Sequence, residues 1–210
     1  NRYHISLDIR LKGGFLKRVS TGIYQRSFSK ILFKDIFQRS FKEIRRMAVM
    51  LQIRKAKPED LQQIMPLYEK AREFMAKNGN PTQWGKNNPP EDLIRKDIEE
   101  GYLYVGEAEE IELVFHFHVG EEPNYKEIYK GAWHRNEAYG VIHRVVSSGK
   151  IPGLAQLCFQ FCKEQHPYLR IDTHENNQVM QRAIQRFGFQ YCGEVIVGDG
   201  TKRLAYDYFA

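Results

Sequence analysis

At 210 residues the chain is long enough for one domain with a sizeable core and too short for two comfortable ones. Its apolar and charged content is that of an ordinary globular protein, and no run approaches the ~18 uncharged apolar residues that a membrane span needs. The net charge of +6 is unevenly held: residues 1–49 carry 12 Lys+Arg against 3 Asp+Glu and the remainder 20 against 23, so the basic character belongs to a leader and no nucleic-acid-binding domain is expected.

In chain order, residues 1–49 come first: a basic, Ser-containing segment with Phe and Ile spaced through Ile31, Phe33, Ile36, Phe37, Phe41 and Ile44. Three readings compete. A basic amphipathic helix would bind a membrane surface or a partner, and an Arg-rich, acid-poor presequence would direct import into an organelle. The third is that the segment is upstream read-through, with translation starting at Met50 or Met47, directly ahead of the first convincing strand. This third reading is our expectation, and it divides the chain into a leader, 1–49, and a folded domain, 50–210. Three sparse cysteines, Cys158, Cys162 and Cys192, fit free thiols in a reducing, cytoplasmic setting.

Leu51 and Ile53 suggest a short strand. Pro58-Glu59-Asp60 starts a helix whose apolar face recurs through Leu61, Ile64, Met65, Tyr68, Ala71 and Met75, with Pro66 expected to kink it. Asn78-Gly79-Asn80-Pro81 stops it, and a second helix is expected from Pro90 to Glu100. Strands follow at 102–105 and 111–119, joined by an acidic turn as a hairpin, and at 141–146. A helical set, Leu154, Leu157, Cys158, Phe161 and Cys162, precedes a strand at 169–173. Val179, Met180, Ala183, Ile184 and Phe187 mark a last helix, before a final strand pair across Gly198-Asp199-Gly200. The order is β-α-α-β-β-β-α-β-α-β-β, a mixed α/β arrangement.

The segment with chemical content is Val145-Val146-Ser147-Ser148-Gly149-Lys150-Ile151-Pro152-Gly153-Leu154-Ala155. A strand runs through a loop of small residues straight into a helix. Such a loop lets backbone N–H groups close on a phosphate while the helix N-terminus adds partial positive charge, and Lys150 would add a full one. It is neither a P-loop nor a Rossmann turn, and by itself it is equally a plain strand-to-helix turn.

Residues 150–155 resemble the acetyl-CoA loop of the GNAT acetyltransferase superfamily, Arg/Gln-x-x-Gly-x-Gly/Ala, with Lys in the first place. Asn177 followed by Gly188-Phe189 is similar to the second family motif, with Met180 where a small residue is common. The wider run from Arg170 to Asn177 resembles a bacterial branch of unassigned substrate. The resemblance spans Met50 to Tyr208 and implies a central splayed β-sheet flanked by helices. It also implies acetyl-CoA as co-substrate, bound by Val145, Val146, Gly149, Lys150, Ile151, Pro152, Gly153, Leu154, Ala155, Asn177 and Met180. The position of the usual acid Tyr holds Ile184, which cannot donate a proton. The implied activity is acetyl transfer to a primary amine of a small molecule or peptide; the alternative is a catalytically silent acyl-CoA-binding module.

Candidates for the base are His143, on the strand entering the loop, and His174, just past a strand end. Trp84, Trp133 and Tyr139 offer aromatic walls for the acceptor, and Glu121 with Glu122 offers charge for a cation. His116 and His118 share a strand face but supply only two ligands, and Cys158, Cys162 and His166 are read as core packing, so no metal is expected. A homodimer is the one assembly held open.

Overall fold

The computed structural model describes residues 8–10, 16–18 and 51–209 of a chain that divides into two units, Asn1–Arg45 and Arg46–Ala210. In the first, strands β1 (Asp8–Arg10) and β2 (Leu16–Arg18) pair antiparallel, Asp8 opposite Arg18. The apolar spacing between Ile31 and Ile44 lies outside the described residues.

The second unit carries the elements in the expected order. They are β3 (Gln52–Lys55), α1 (Leu61–Lys77), α2 (Glu91–Glu99), β4 (Leu103–Glu107), β5 (Ile111–Val119) and β6 (Gly140–Ser147). Then come α3 (Leu154–Gln165), β7 (Tyr168–Thr173), α4 (Gln178–Phe187), β8 (Gln190–Ile196) and β9 (Lys202–Phe209). Short 3-10 turns occupy Pro58–Asp60 and Pro123–Tyr125. The seven strands form one sheet in the order β3-β4-β5-β6-β7-β9-β8, antiparallel throughout except between β6 and β7. That single parallel step requires a crossover, and α3 supplies it.

The 3-10 turn ahead of α1 is anchored by Asp60, whose carboxylate takes the Lys57 N–H at 2.8 Å and both terminal nitrogens of Arg54 at 2.7 and 3.0 Å. The hydrogen bonds from Arg54 lead in lowering the Asp60 pKa, and the backbone N–H of Lys57 helps, against a burial that works the other way. Helix α1 runs unbroken with Pro66 inside it, because proline removes only one ladder donor and the buried face of Leu61, Ile64, Leu67 and Tyr68 outweighs that loss.

Strand β5 is buried on both faces, and its sequence is apolar except at Glu112, His116 and His118. One face, with Val114, packs beside Leu103 and Val105 under Ile64, Tyr68 and Ile94 of α1 and α2. On the other, Phe115 stacks on Tyr104 at 5.5 Å and meets Phe161 of α3 edge-on at 5.8 Å. Cys158 and Cys162 are buried in α3, and His166 turns away to bond the Tyr168 carbonyl at 2.8 Å, so the Cys/Cys/His spacing does not form a stripe. Phe159, fully buried, ties α3 to the end of α4 and to the residue entering β8 through edge contacts with Phe187 and Phe189 at 5.5 and 5.3 Å. Phe159→Ala would leave a cavity at this joint and is expected to destabilise the fold by about 3–5 kcal/mol in denaturant titration. A loss under ~1 kcal/mol would show that the joint collapses freely.

Candidate active site

Strands β6 and β7 pair for only three residues, Gly140, Val141 and Ile142 against Leu169, Arg170 and Ile171. Beyond them β6 continues to Ser147 and β7 to Thr173 without meeting. The parting has a local cause. On the β5 side Val114 pairs with Val146 and His116 with His143, so the single residue Phe115 faces both Arg144 and Val145. This is a bulge in β6, and Arg144 adopts a left-handed φ of 53° to make it. A non-glycine residue there costs on the order of 1–3 kcal/mol, offset where neighbours hold it in place. Tyr68 Oη donates to the Arg144 carbonyl at 3.0 Å, and the Arg144 guanidinium reaches Asp97 at 2.9 Å and His116 Nδ1 at 2.6 Å.

The gap is a cleft of about 830 Å³. One wall is the loop from β6 into α3. Its Ser148 N–H goes to the Glu112 carbonyl and its Lys150 N–H to Ser148 Oγ. The N–H groups of Ile151, Gly153, Leu154 and Ala155 find no acceptor among the described residues, and α3 begins without a side-chain cap. Gly153, at φ 85°, is the residue that lets the chain turn from loop to helix. Free amides at a helix start, with the dipole behind them, form an anion-binding concavity. Lys150 departs from expectation: it does not line the cleft, and its ammonium pairs with Glu110 at 2.6 Å and Glu112 at 3.4 Å. The cations that do line the cleft are Lys70, Arg144, Arg182, Arg186 and Arg203, of which Arg144 is already paired with Asp97. None of them was singled out from sequence, and the i, i+4 spacing of Arg182 and Arg186 on α4 points only to those two.

At the other end of the cleft His143 stands between two carboxylates, Nε2 3.1 Å from Glu122 and Nδ1 3.6 Å from Asp172. Tyr125 Oη donates to Asp172 at 2.7 Å, and Asn124 donates through N–H and Nδ2 to Glu122 at 3.1 and 2.6 Å. Burial works to raise the Glu122 carboxyl, but the hydrogen bond and charge of His143, with the Asn124 donors, outweigh it and hold the group at about 2. An imidazole flanked by the carboxyl groups of Glu122 and Asp172 is arranged to accept a proton and to be stabilised once charged.

The remaining candidates separate. Val145, Val146, Gly149, Pro152, Leu154, Asn177 and Met180 line the cleft. Asn177 Oδ1 caps α4 by accepting the Met180 N–H at 3.1 Å, while its Nδ2 donates to Gln83 at 2.9 Å. Ile184 is fully buried and does not line it. Trp84 both lines the cleft and packs edge-on against Tyr68 at 5.6 Å. Trp133 and Tyr139 are not walls: the Arg170 guanidinium lies 4.1 and 3.9 Å over their rings, so the box they make is filled by the protein itself. Glu121 is exposed and near Lys126 at 3.9 Å; its neighbour Glu122 is the carboxylate in the cleft. His174 lies outside the cleft, its Nδ1 taking the Asn176 N–H at 3.1 Å. His116 and His118 do share a face, and bond each other at 2.8 Å. Asp172, Tyr125 and Arg144 were not singled out from sequence.

No family model and no curated protein matches the chain. Solved structures do. A GNAT-family acetyltransferase from Streptococcus agalactiae is 40% identical, with a TM-score of 0.70 over 76% of this chain and 95% of that one. A Staphylococcus aureus protein described as an acetyltransferase is 27% identical, with a TM-score of 0.57 over 75% of this chain and 98% of that one. A Salmonella typhimurium protein described as an acetyltransferase, solved with its cofactor acetyl-CoA, is 15% identical; its TM-score is 0.51 over 76% of this chain and 94% of that one.

Burial lowers His116 from its usual 6.5 to about 4, the charge of Arg144 adding to the effect and Asp97 opposing it. Between these pH values the unfolded chain binds a proton that the native state refuses, and between 4.5 and about 2 the same holds for Glu122. Stability is therefore full at neutral pH and falls as pH drops through 6.5 toward 4 and below. Melting curves from pH 7 to 4 should show this fall, and His116→Gln should flatten it by roughly 2 kcal/mol. Equal slopes in both proteins would contradict the assignment.

Proposed function

The chain belongs to the GNAT acetyltransferase family, and from that premise we propose that residues 50–210 move the acetyl group of acetyl-CoA onto a primary amine of a small molecule or peptide. The observation that carries this reading is the parted pair β6 and β7, with unpartnered amides at one end of the gap and His143 between carboxylates at the other.

The amides of 151 and 153–155 take the diphosphate of the co-substrate, with Lys70, Arg182, Arg186 and Arg203 supplying the countercharge. The bulged β6 leaves main-chain donors near Val145 and Val146 without a partner strand, where they polarise the thioester carbonyl and stabilise the oxyanion as it forms. His143 removes the proton from the acceptor ammonium, so that a neutral amine attacks the carbonyl carbon; Glu122 and Asp172 stabilise the resulting imidazolium. The C–N bond forms as the C–S bond breaks and its electron pair leaves with sulfur, and the second surplus proton on the nitrogen passes to solvent as the neutral amide forms. Because a thiol has a pKa of only ~8.5, the thiolate departs without an acid, which is why Ile184 at the usual Tyr position is compatible with turnover. Holding amine and thioester in one cleft supplies much of the remaining acceleration.

Two variants separate donor binding from chemistry. Gly153 is unsuitable for substitution because of its left-handed φ, but Ala155 is in the first turn of α3, where an acid suits the helix dipole. Ala155→Glu should keep the melting temperature and weaken acetyl-CoA binding at least ~10-fold by calorimetry, since its carboxylate competes for the same amides. Unchanged affinity would place the donor elsewhere. His143→Gln should keep acetyl-CoA affinity and lower kcat ~100-fold or more in a thiol-release assay across an amine panel. A protein that binds acetyl-CoA and releases no CoA with any amine would be the silent acyl-CoA module instead.

A further inference from the structure

Away from the cleft, three side chains converge on one point. Cys192 is the extra residue of a bulge in β8: Tyr191 pairs with Tyr206 and Gly193 with Ala205, leaving Cys192 without a partner on β9. The loop preceding β6 is fastened over this bulge. Tyr129 and Glu194 exchange two N–H···O bonds of 2.8 Å, and Gly131 lies so close that a Cβ there would come within 2.0 Å of the Cys192 carbonyl oxygen. The result sets His134 Nδ1 2.8 Å from Asp207 Oδ1 and 3.4 Å from Cys192 Sγ, the three ligand atoms within 4.8 Å of one another. Asp207, fully buried, is held from behind: the His134 N–H and Tyr168 Oη both donate to its Oδ2 at 2.9 Å.

The geometry excludes a Cys–His–Asp nucleophile. That arrangement needs sulfur and carboxylate on opposite ring nitrogens, so that one orients the imidazole while the other gives up its proton. Here both sit on Nδ1. Atoms of three kinds gathered at one spot are what a metal ion requires. Bond lengths of about 2.0 Å to N and O and 2.3 Å to S put tetrahedral zinc ligands roughly 3.3–3.6 Å apart. The N···S distance already lies in that range, and the short N···O distance opens with a small rotation of an imidazole that is 38% exposed. One thiolate, one imidazole and one carboxylate suit a borderline cation of the zinc class better than magnesium or calcium. The bonds from the His134 N–H and Tyr168 to Asp207 are the outer-shell support that metal sites use. Without a metal the Cys192 thiol stays protonated, pushed up to about 12 by burial and by the charge of Asp207. A cation would displace that proton.

We propose that His134 Nδ1, Cys192 Sγ and an Asp207 carboxylate oxygen form a three-ligand site for a zinc-class divalent cation, its fourth position open to water beside the exposed imidazole, separate from the acetyl-transfer cleft. Cobalt(II) titration of the full chain, carrying no histidine tag, tests it. One equivalent should bring up a thiolate-to-cobalt charge-transfer band with tetrahedral visible bands, and zinc should bleach both. Cys192→Ser should lose the charge-transfer band and His134→Ala should lose tetrahedral binding, each with an unchanged helical circular dichroism signal. Cys158 and Cys162 are buried within α3, so Cys158→Ser should retain the band and serve as the control for folding and for the source of sulfur. No band with the parent chain, or a band that survives Cys192→Ser, overturns the proposal.

Discussion

The bulge at Arg144 is the constraint on which the site depends. A regular β6 would keep alternating beside β7 and close the sheet; one extra residue bends it away after Ile142. The conformation is unfavourable for an arginine, so it persists through its neighbours: Tyr68 from α1 on the carbonyl, Asp97 from α2 and His116 from β5 on the guanidinium. Helices α1 and α2 thus do more than cover the sheet. They hold open the space that their own strand neighbours would otherwise fill.

The buried polar groups divide along the same line. Around Arg144, His116 and His118 are neutral imidazoles whose burial keeps protons off them, with Asp97 as the counterion. Across β6, His143 faces ionised Glu122. Two histidines paired across neighbouring strands, His116 opposite His143, therefore sit in different surroundings: His116 is buried against both the Arg144 guanidinium and Asp97, while His143 lies in the cleft between Glu122 and Asp172. Position relative to the cleft decides which of them can exchange a proton with a ligand.

Element order and most element limits were legible in the sequence because they follow from local patterning: the helical sets at 61–75 and 154–162 and the β-branched and aromatic stretch 111–119 need no tertiary information. The loop into α3 was legible for the same reason, since small residues between a strand and a helix constrain backbone directly. What was not legible depended on partners distant in sequence. Lys150 looked like a phosphate ligand until Glu110 and Glu112 claimed it, and the Trp133–Tyr139 box looked open until Arg170 filled it. The choice between Glu121 and Glu122 turns on one residue of phase in an irregular connection, which no periodicity fixes. The bulge itself is invisible in sequence, because Arg144 is an uncommon occupant of the backbone shape it takes.

The brevity of the β6–β7 ladder has a mechanical consequence. Only three residue pairs join the half-sheet β3–β6 to the half-sheet β7–β9, so the backbone seam between them is weak for its length. Helix α3 packs on β5, β6 and β7 together and spans that seam like a brace across a notch. A load that wedges the notch wider is borne by this helix together with the side-chain bonds that cross the gap, Asn177 to Gln83 and Tyr125 to Asp172.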